Sequence, residues 1–176
     1  MILIADSGAT KTDWCLGSTP TDVRIFQTQG INPFHQTKEF FAQILSEELL
    51  PQVGESSTVT AIHFYGAGCT PEKSPLVKEA LQVLFPDASI DVQSDLLGAA
   101  RSLCGKEPGI ACILGTGSNS CEYNGEKILS NVSPLGYILG DEGSGAVLGK
   151  RLTGDCLKHQ LPENICRMFL EYTGLN

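Results

Sequence analysis

The chain has 176 residues, 41% of them hydrophobic and 18% charged, a composition that can bury a core and is unlike that of a disordered segment. Twelve basic against twenty acidic residues give a net charge of -8, which argues against a broad electrostatic grip on nucleic acid or on an anionic membrane. A small ligand is the better expectation, phosphate included, because backbone N–H groups and a bound cation hold phosphate without a basic surface. The opening Met1-Ile-Leu-Ile-Ala-Asp6 has no basic region and does not read as a signal peptide. No apolar run approaches the roughly 18 residues of a membrane span, so a cytoplasmic protein is expected. Seven cysteines without a CxxC pair read as buried free thiols.

In chain order, residues 2–6, 13–17 and 23–29 read as three strands broken by Gly-containing turns, an antiparallel meander. Phe40, Phe41, Ile44, Leu45 and Leu49 recur at helical spacing, and this helix is expected to end before Pro51. A strand over 59–65 leads into Gly66-Ala-Gly68, and a helix follows over 71–85. A strand over 90–93 precedes a helix opened by Ser94-Asp95 and running to Cys104. Three strands, then helix, strand, helix, strand, helix is the order of an α/β, RNase H-like domain, with a mixed sheet and flanking helices. The opening then recurs: strands over 110–114, 119–123 and 127–131, with ACIL before GTGSNS as ILIA stands before DSGATKT. Helices over 142–152 and 162–172 complete the chain. Residues 1–108 are therefore read as one RNase H-like domain and 109–176 as the start of a second, incomplete copy.

DSGATKTD at 6–13 lies where the first strand turns into the second. Asp6 ends its strand as a carboxylate able to hold Mg²⁺ directly or through water, Gly8 and Ala9 let backbone approach a ligand, and Thr10, Lys11 and Thr12 offer donors. The alternative is a tight hairpin with solvated polar side chains. GTGSNS at 115–120 repeats the arrangement about a hundred residues on, and the pair favours a phosphate clamp. Neither GxxxxGK[ST] nor a complete GxGxxG is present. Asp95 reads either as a base for an attacking hydroxyl or as a helix cap. Residues 141–145 read either as an acidic first helical turn or as a glycine-rich close approach to a ligand. His35, His63 and His159 have no metal-ligand spacing, and Trp14 is expected in the core.

GYILGDEGSG at 136–145 resembles the signature of the N-acetylglucosamine kinase and BadF/BadG-type ATPase family, a branch of the actin-like ATPase superfamily. DSGATKT, GINPF, SDLLGAA and GTGSNS stand in matching order and extend the resemblance over nearly the whole chain. The resemblance implies ATP and Mg²⁺ as cofactors, with Asp6 near the metal and Gly8, Thr10, Lys11, Thr116 and Gly117 around the nucleotide phosphates. It implies Asn32, Ser118, Asn119, Gly136 and Asp141 in the acceptor pocket, and Asp95 as the catalytic base.

The activity so implied is transfer of the γ-phosphate to the 6-hydroxyl of an amino sugar, N-acetylglucosamine first and glucosamine next. An ATPase activator of a 2-hydroxyacyl-CoA dehydratase and a non-catalytic sugar sensor are the alternatives. Adenine-binding residues are expected beyond this stretch, so that little kinase activity is expected of these residues alone. Neither nucleic acid nor membrane is expected as a partner, and a homodimer is left open.

Overall fold

In a computed structural model describing residues 1–175, strict alternation in the first strand fixes one buried and one open face. Leu3, Ala5 and Ser7 of β1 (Ile2–Ser7) point inward, while Ile2, Ile4 and Asp6 point out. β2 (Lys11–Thr19) and β3 (Asp22–Gln29) follow antiparallel. β4 (Ala61–Gly66) and β5 (Ser89–Ser94) add in parallel on the other side of β1, giving the order β3-β2-β1-β4-β5. Crossovers between the parallel strands carry helices: α1 (Lys38–Ile44), a π turn (Leu45–Leu49) and α2 (Leu50–Val53) before β4, and α3 (Ser74–Leu84) before β5. This is the mixed sheet with flanking helices expected from the chain order.

Phe41, Ile44, Leu45 and Leu49 join Val77, Ala80 and Leu81 of α3 over the inward face of the sheet. Trp14 lies in this core, fully buried, edge-on to Phe64 at 5.9 Å between ring centres, with its indole N–H donating to Thr28 Oγ1 at 2.9 Å. The buried Ser7 and Thr12 hydroxyls satisfy each other at 2.6 Å.

A second, three-stranded antiparallel sheet follows: β6 (Gly109–Leu114), β7 (Ser118–Tyr123) and β8 (Ile128–Val132). α4 (Asp95–Cys104) lies between the sheets. Its Leu96 and Ala100 are buried with Ala111, Cys121 and Tyr123 of the second sheet. Its other side meets β4, where a Cβ on Gly98 would lie 2.8 Å from the Tyr65 ring, and Arg101 donates to the Tyr65 hydroxyl at 2.9 Å. α5 (Gly136–Leu139), α6 (Gly145–Leu157) and α7 (Glu163–Thr173) end the described chain. No helix among the described residues is long and apolar enough to cross a membrane.

Four local expectations need correction. The first helical segment runs through Pro51 to Val53, because a π turn with Leu50 N–H bonded to the Leu45 carbonyl precedes the proline, so helical backbone reaches it without the usual fourth-residue ladder. The helix expected from residue 71 begins at Ser74, after a turn closed by Lys73 N–H on the Thr70 carbonyl. The helix expected from residue 142 begins at Gly145, where the buried Ser144 accepts Val147 N–H as N-cap. Asp141 and Glu142 thus belong to the preceding turn and not to an acidic helical turn. Among the cysteines, Cys69, Cys121, Cys156 and Cys166 are buried as expected and Cys112 is exposed.

Candidate active site

The carboxyl ends of the parallel strands gather most of the first group of candidate residues. Ser7 pairs with Gly66 and Gly66 with Ser94, so the turns after β1, β4 and β5 leave the sheet at one level. Crevices outside such strand ends are where open α/β sheets bind ligands. After β1, the three-residue turn Gly8-Ala9-Thr10 is closed by Gly8 N–H donating to the Lys11 carbonyl at 2.9 Å. Asp6 lies on the open face, cross-strand from Asp13 and beside Tyr65. Lys11 pairs with Asp13 at 2.9 Å on the surface. Thr12 does not offer a ligand donor: strand alternation turns it into the core, where its hydroxyl bonds Ser7 and the Gln29 carbonyl.

The chain returns to this turn at Gly30, whose N–H donates to the Thr10 carbonyl at 3.1 Å. The approach is close enough that a Cβ on Gly30 would lie 2.5 Å from the Gly8 carbonyl oxygen. Sequence reading missed this function of Gly30, although it opens the GINPF stretch. Ile31 is bracketed by the Ser7 hydroxyl, which accepts its N–H and donates to its carbonyl, both at 3.0 Å. The next residue, Asn32, is buried, and its Oδ1 accepts Phe34 N–H at 2.9 Å.

Asp95 is the first residue of α4. Ser94 is the N-cap, accepting Leu97 N–H at 3.3 Å, while one Asp95 carboxylate oxygen accepts Leu96 N–H at 2.8 Å. Capping therefore falls mainly to Ser94. Burial raises the Asp95 carboxyl above its ordinary range, the Leu96 N–H opposes this, and the charge of Asp6 adds to the rise. Asp6 is likewise raised by burial and by Asp13, with Lys11 opposing. Cys69, buried at the turn after β4, has its thiol pushed up to about 12 by burial and by Asp95. A crowded, partly dehydrated set of carboxylates is one that a divalent cation would relieve. No group of three or more His, Cys, Asp or Glu among the described residues is placed to hold a metal ion.

The second group gathers around the β6–β7 turn. Gly115-Thr116-Gly117 is again a three-residue turn, closed by Gly115 N–H donating to the Gly117 carbonyl at 2.9 Å. Position by position, Thr116 corresponds to Ala9 and Gly117 to Thr10, so the two threonines stand at different places on their turns. The GDEGSG segment closes on this turn: Gly145 N–H donates to the Gly115 carbonyl at 2.8 Å and Ala146 N–H to the Thr116 carbonyl at 3.2 Å. Asp141, at φ +56, accepts Ser118 N–H at 3.1 Å, and a Cβ on Gly117 would meet its carboxylate at 3.1 Å. Asp is among the few residues that enter this backbone region readily. Asn119 stands apart, its side-chain oxygen accepting Asn131 Nδ2 at 2.7 Å on the β7–β8 ladder. Gly136 lies exposed at the start of α5.

Among the described residues no hydrogen bond or ion pair joins the two groups; α4, with Asp95 at its start, is the element they share. Two shallow hollows of about 620 and 590 Å³ lie elsewhere, against α5–α6 and on β6–β8, and neither is lined by Asp6, Asp95, Asn32 or Thr116. Their walls carry exposed apolar side chains such as Ile138 and Ile110.

No family model matches the chain. A solved structure from Porphyromonas gingivalis, provisionally named an N-acetylglucosamine kinase, is 55% identical, with a TM-score of 0.95 over all of this chain and 63% of its own. The chain is similar to proteins named as N-acetylglucosamine kinases. A curated N-acetylmuramic acid/N-acetylglucosamine kinase of Clostridium acetobutylicum is 28% identical over 160 residues, 87% of this chain and 52% of the relative. A Chromobacterium violaceum structure with the same provisional name is 23% identical at a TM-score of 0.74, covering 98% of this chain and 64% of its own. The ethanolamine utilization protein EutJ of Carboxydothermus hydrogenoformans, 13% identical at 0.51 over 98% of this chain and 68% of its own, shares the actin-like ATPase fold. The chain spans about half the length of the curated relative and under two thirds of the Porphyromonas chain.

Proposed function

We propose that this chain contributes the catalytic base and part of the acceptor site of an ATP-dependent sugar kinase that phosphorylates an amino sugar at its 6-hydroxyl. N-acetylglucosamine is the favoured acceptor and glucosamine the next. The observation that carries the reading is the placement of Asp95: at the carboxyl end of the parallel strands, relieved of N-capping by Ser94, and close enough to Asp6 to feel its charge. Phosphoryl transfer asks for positioning and charge neutralisation more than for covalent chemistry. In this reading Asp95 Oδ2 accepts the hydroxyl proton as the sugar oxygen bonds to the γ-phosphorus and the bond to the β-phosphate oxygen breaks, releasing ADP. The raised carboxyl of Asp95 suits it to that proton.

Gly8, Thr10 and Lys11 on one turn, and Thr116 and Gly117 on the other, would line the nucleotide phosphates. Mg²⁺ would stand by Asp6 and neutralise phosphate charge. Asn32, Ser118 and Asp141 would meet the sugar, with Asn119 and Gly136 further out. The names of the two relatives support the sugar class. Residues 109–176 are taken as the opening of a second domain whose turn would face that of the first. The experiment is an ADP-release assay on the full-length protein with ATP, Mg²⁺ and a panel of hexosamines; absence of acceptor-stimulated release refutes the reading.

A further inference from the structure

The loop that carries Asn32 is fastened by a side chain that belongs to none of the motifs. Gln36 accepts the Asn32 backbone N–H at Oε1 and donates from Nε2 to the Gly30 carbonyl, both at 2.8 Å. One side-chain amide thus closes both ends of the Gly30-Ile31-Asn32 segment. The backbone N–H of Gln36 donates back to the Asn32 carbonyl at 3.2 Å.

What this segment presents is a single donor. Asn32 is only 9% exposed, and Phe34 N–H occupies its Oδ1, which fixes the amide orientation and leaves Nδ2 without a partner among the described residues. No fully buried side-chain nitrogen or oxygen among those residues lacks a partner, so Nδ2 retains contact with solvent. Gly68, at φ +77, backs the amide so closely that a Cβ there would lie 2.5 Å from Asn32 Oδ1 and 2.7 Å from the Phe34 ring. At the other end, Gly30 touches the turn after β1.

We propose that Gln36 is a positioning residue for the acceptor: it holds the Gly30–Asn32 segment so that Asn32 Nδ2 is presented at a fixed place relative to the turn after β1. The acceptor role rests on the kinase reading above, whereas the clamp itself does not. Loss of a clamp that aims one hydrogen bond weakens acceptor binding by about tenfold.

The test uses the full-length protein with Gln36→Met, which keeps the length and loses both bonds, and Gln36→Glu, which keeps the acceptor and loses the donor. Amide hydrogen exchange is expected to show the Asn32 N–H opening about tenfold more readily in Gln36→Met and near the wild-type rate in Gln36→Glu. Unchanged protection in Gln36→Met overturns the clamp whatever the substrate. With ATP and N-acetylglucosamine, the acceptor KM is expected to rise about tenfold in Gln36→Met while the ATP KM stays within about twofold, with Gln36→Glu between. An unchanged acceptor KM, or an equal rise in both constants, overturns the acceptor role. Should Gln36→Met fail to fold, the acceptor KM of Gln36→Glu decides in the same way, a rise supporting the role and no change overturning it. A wild type without acceptor-dependent ADP release removes the kinase reading and the acceptor role together, and the exchange measurement still decides the clamp.

Discussion

Replacing Gly30 by Ala probes the join between the turn after β1 and the loop that leads to Asn32. An added Cβ would lie 2.5 Å from the Gly8 carbonyl oxygen and 2.9 Å from both Ala9 C and Lys11 N, all of them backbone atoms. Backbone in a three-residue turn cannot swing aside as a side chain does, so the cost falls at the upper end of the usual overpacking range, about 3 kcal/mol. For a chain of this size each kcal/mol moves Tm by about 2–4 °C, so Gly30→Ala should melt about 6–12 °C lower. Gly149→Ala is the matched control: it lies within α6, meets nothing within 4 Å, and should gain about 0.5–1 kcal/mol from the better helix former. Circular dichroism melts of wild type and both variants decide the matter. A Gly30→Ala protein melting within about 2 °C of wild type would show that the join is loose and the argument from close contact wrong.

Asp95→Asn should lower turnover by about a hundredfold or more in the ADP-release assay while leaving ATP affinity near wild type; full turnover would leave Asp95 a structural residue. The same variant should melt higher at neutral pH. Folding raises the Asp95 carboxyl above its ordinary 3.8, so its contribution to stability is whole below that value and is lost as pH rises through the folded one. The advantage of Asn should therefore vanish in melts recorded below about pH 3.8, and an advantage that persists there contradicts burial as its source. Trp14, the sole tryptophan and fully buried, should emit in the blue and resist acrylamide, and an emission shift on adding sugar would argue for a binding platform. Limited alkylation followed by peptide mass spectrometry should modify exposed Cys112 first and spare Cys69, whose buried thiol stays protonated; early loss of Cys69 would place it at an open surface.

The strands were legible because their signal is local. Alternation in ILIADS and the glycines closing each hairpin determine β1, β2 and the turn between them without reference to the rest of the chain. Asp95 was legible for a similar reason, since Ser-Asp after a short apolar strand marks a helix start. What the sequence did not display depends on contacts across distance. Pro51 looked like a stop because the π turn before it leaves no trace in apolar spacing. Thr12 looked like a ligand donor until pairing with Ser7 turned it inward. Gly30, Gln36 and Gly68 act through neighbours from other elements, and nothing in their immediate surroundings distinguishes them from ordinary turn residues. The family resemblance supplied roles for Asn32 and Asp141, but it contained neither the amide that holds the first nor the left-handed backbone that carries the second.

One short helix serves as a wall for two separate cores. Leu96 and Ala100 are committed to the second sheet, and Gly98 and Arg101 to Tyr65 of the first, so neither sheet can pivot without dragging or shearing this common wall. Its first residue carries the proposed proton acceptor, and a small rotation of the helix is felt there as a displacement of the carboxylate. The position of a single charge would then register the angle between two halves of the molecule, and readiness for chemistry would be set by mechanical posture as much as by the chemical identity of the acid.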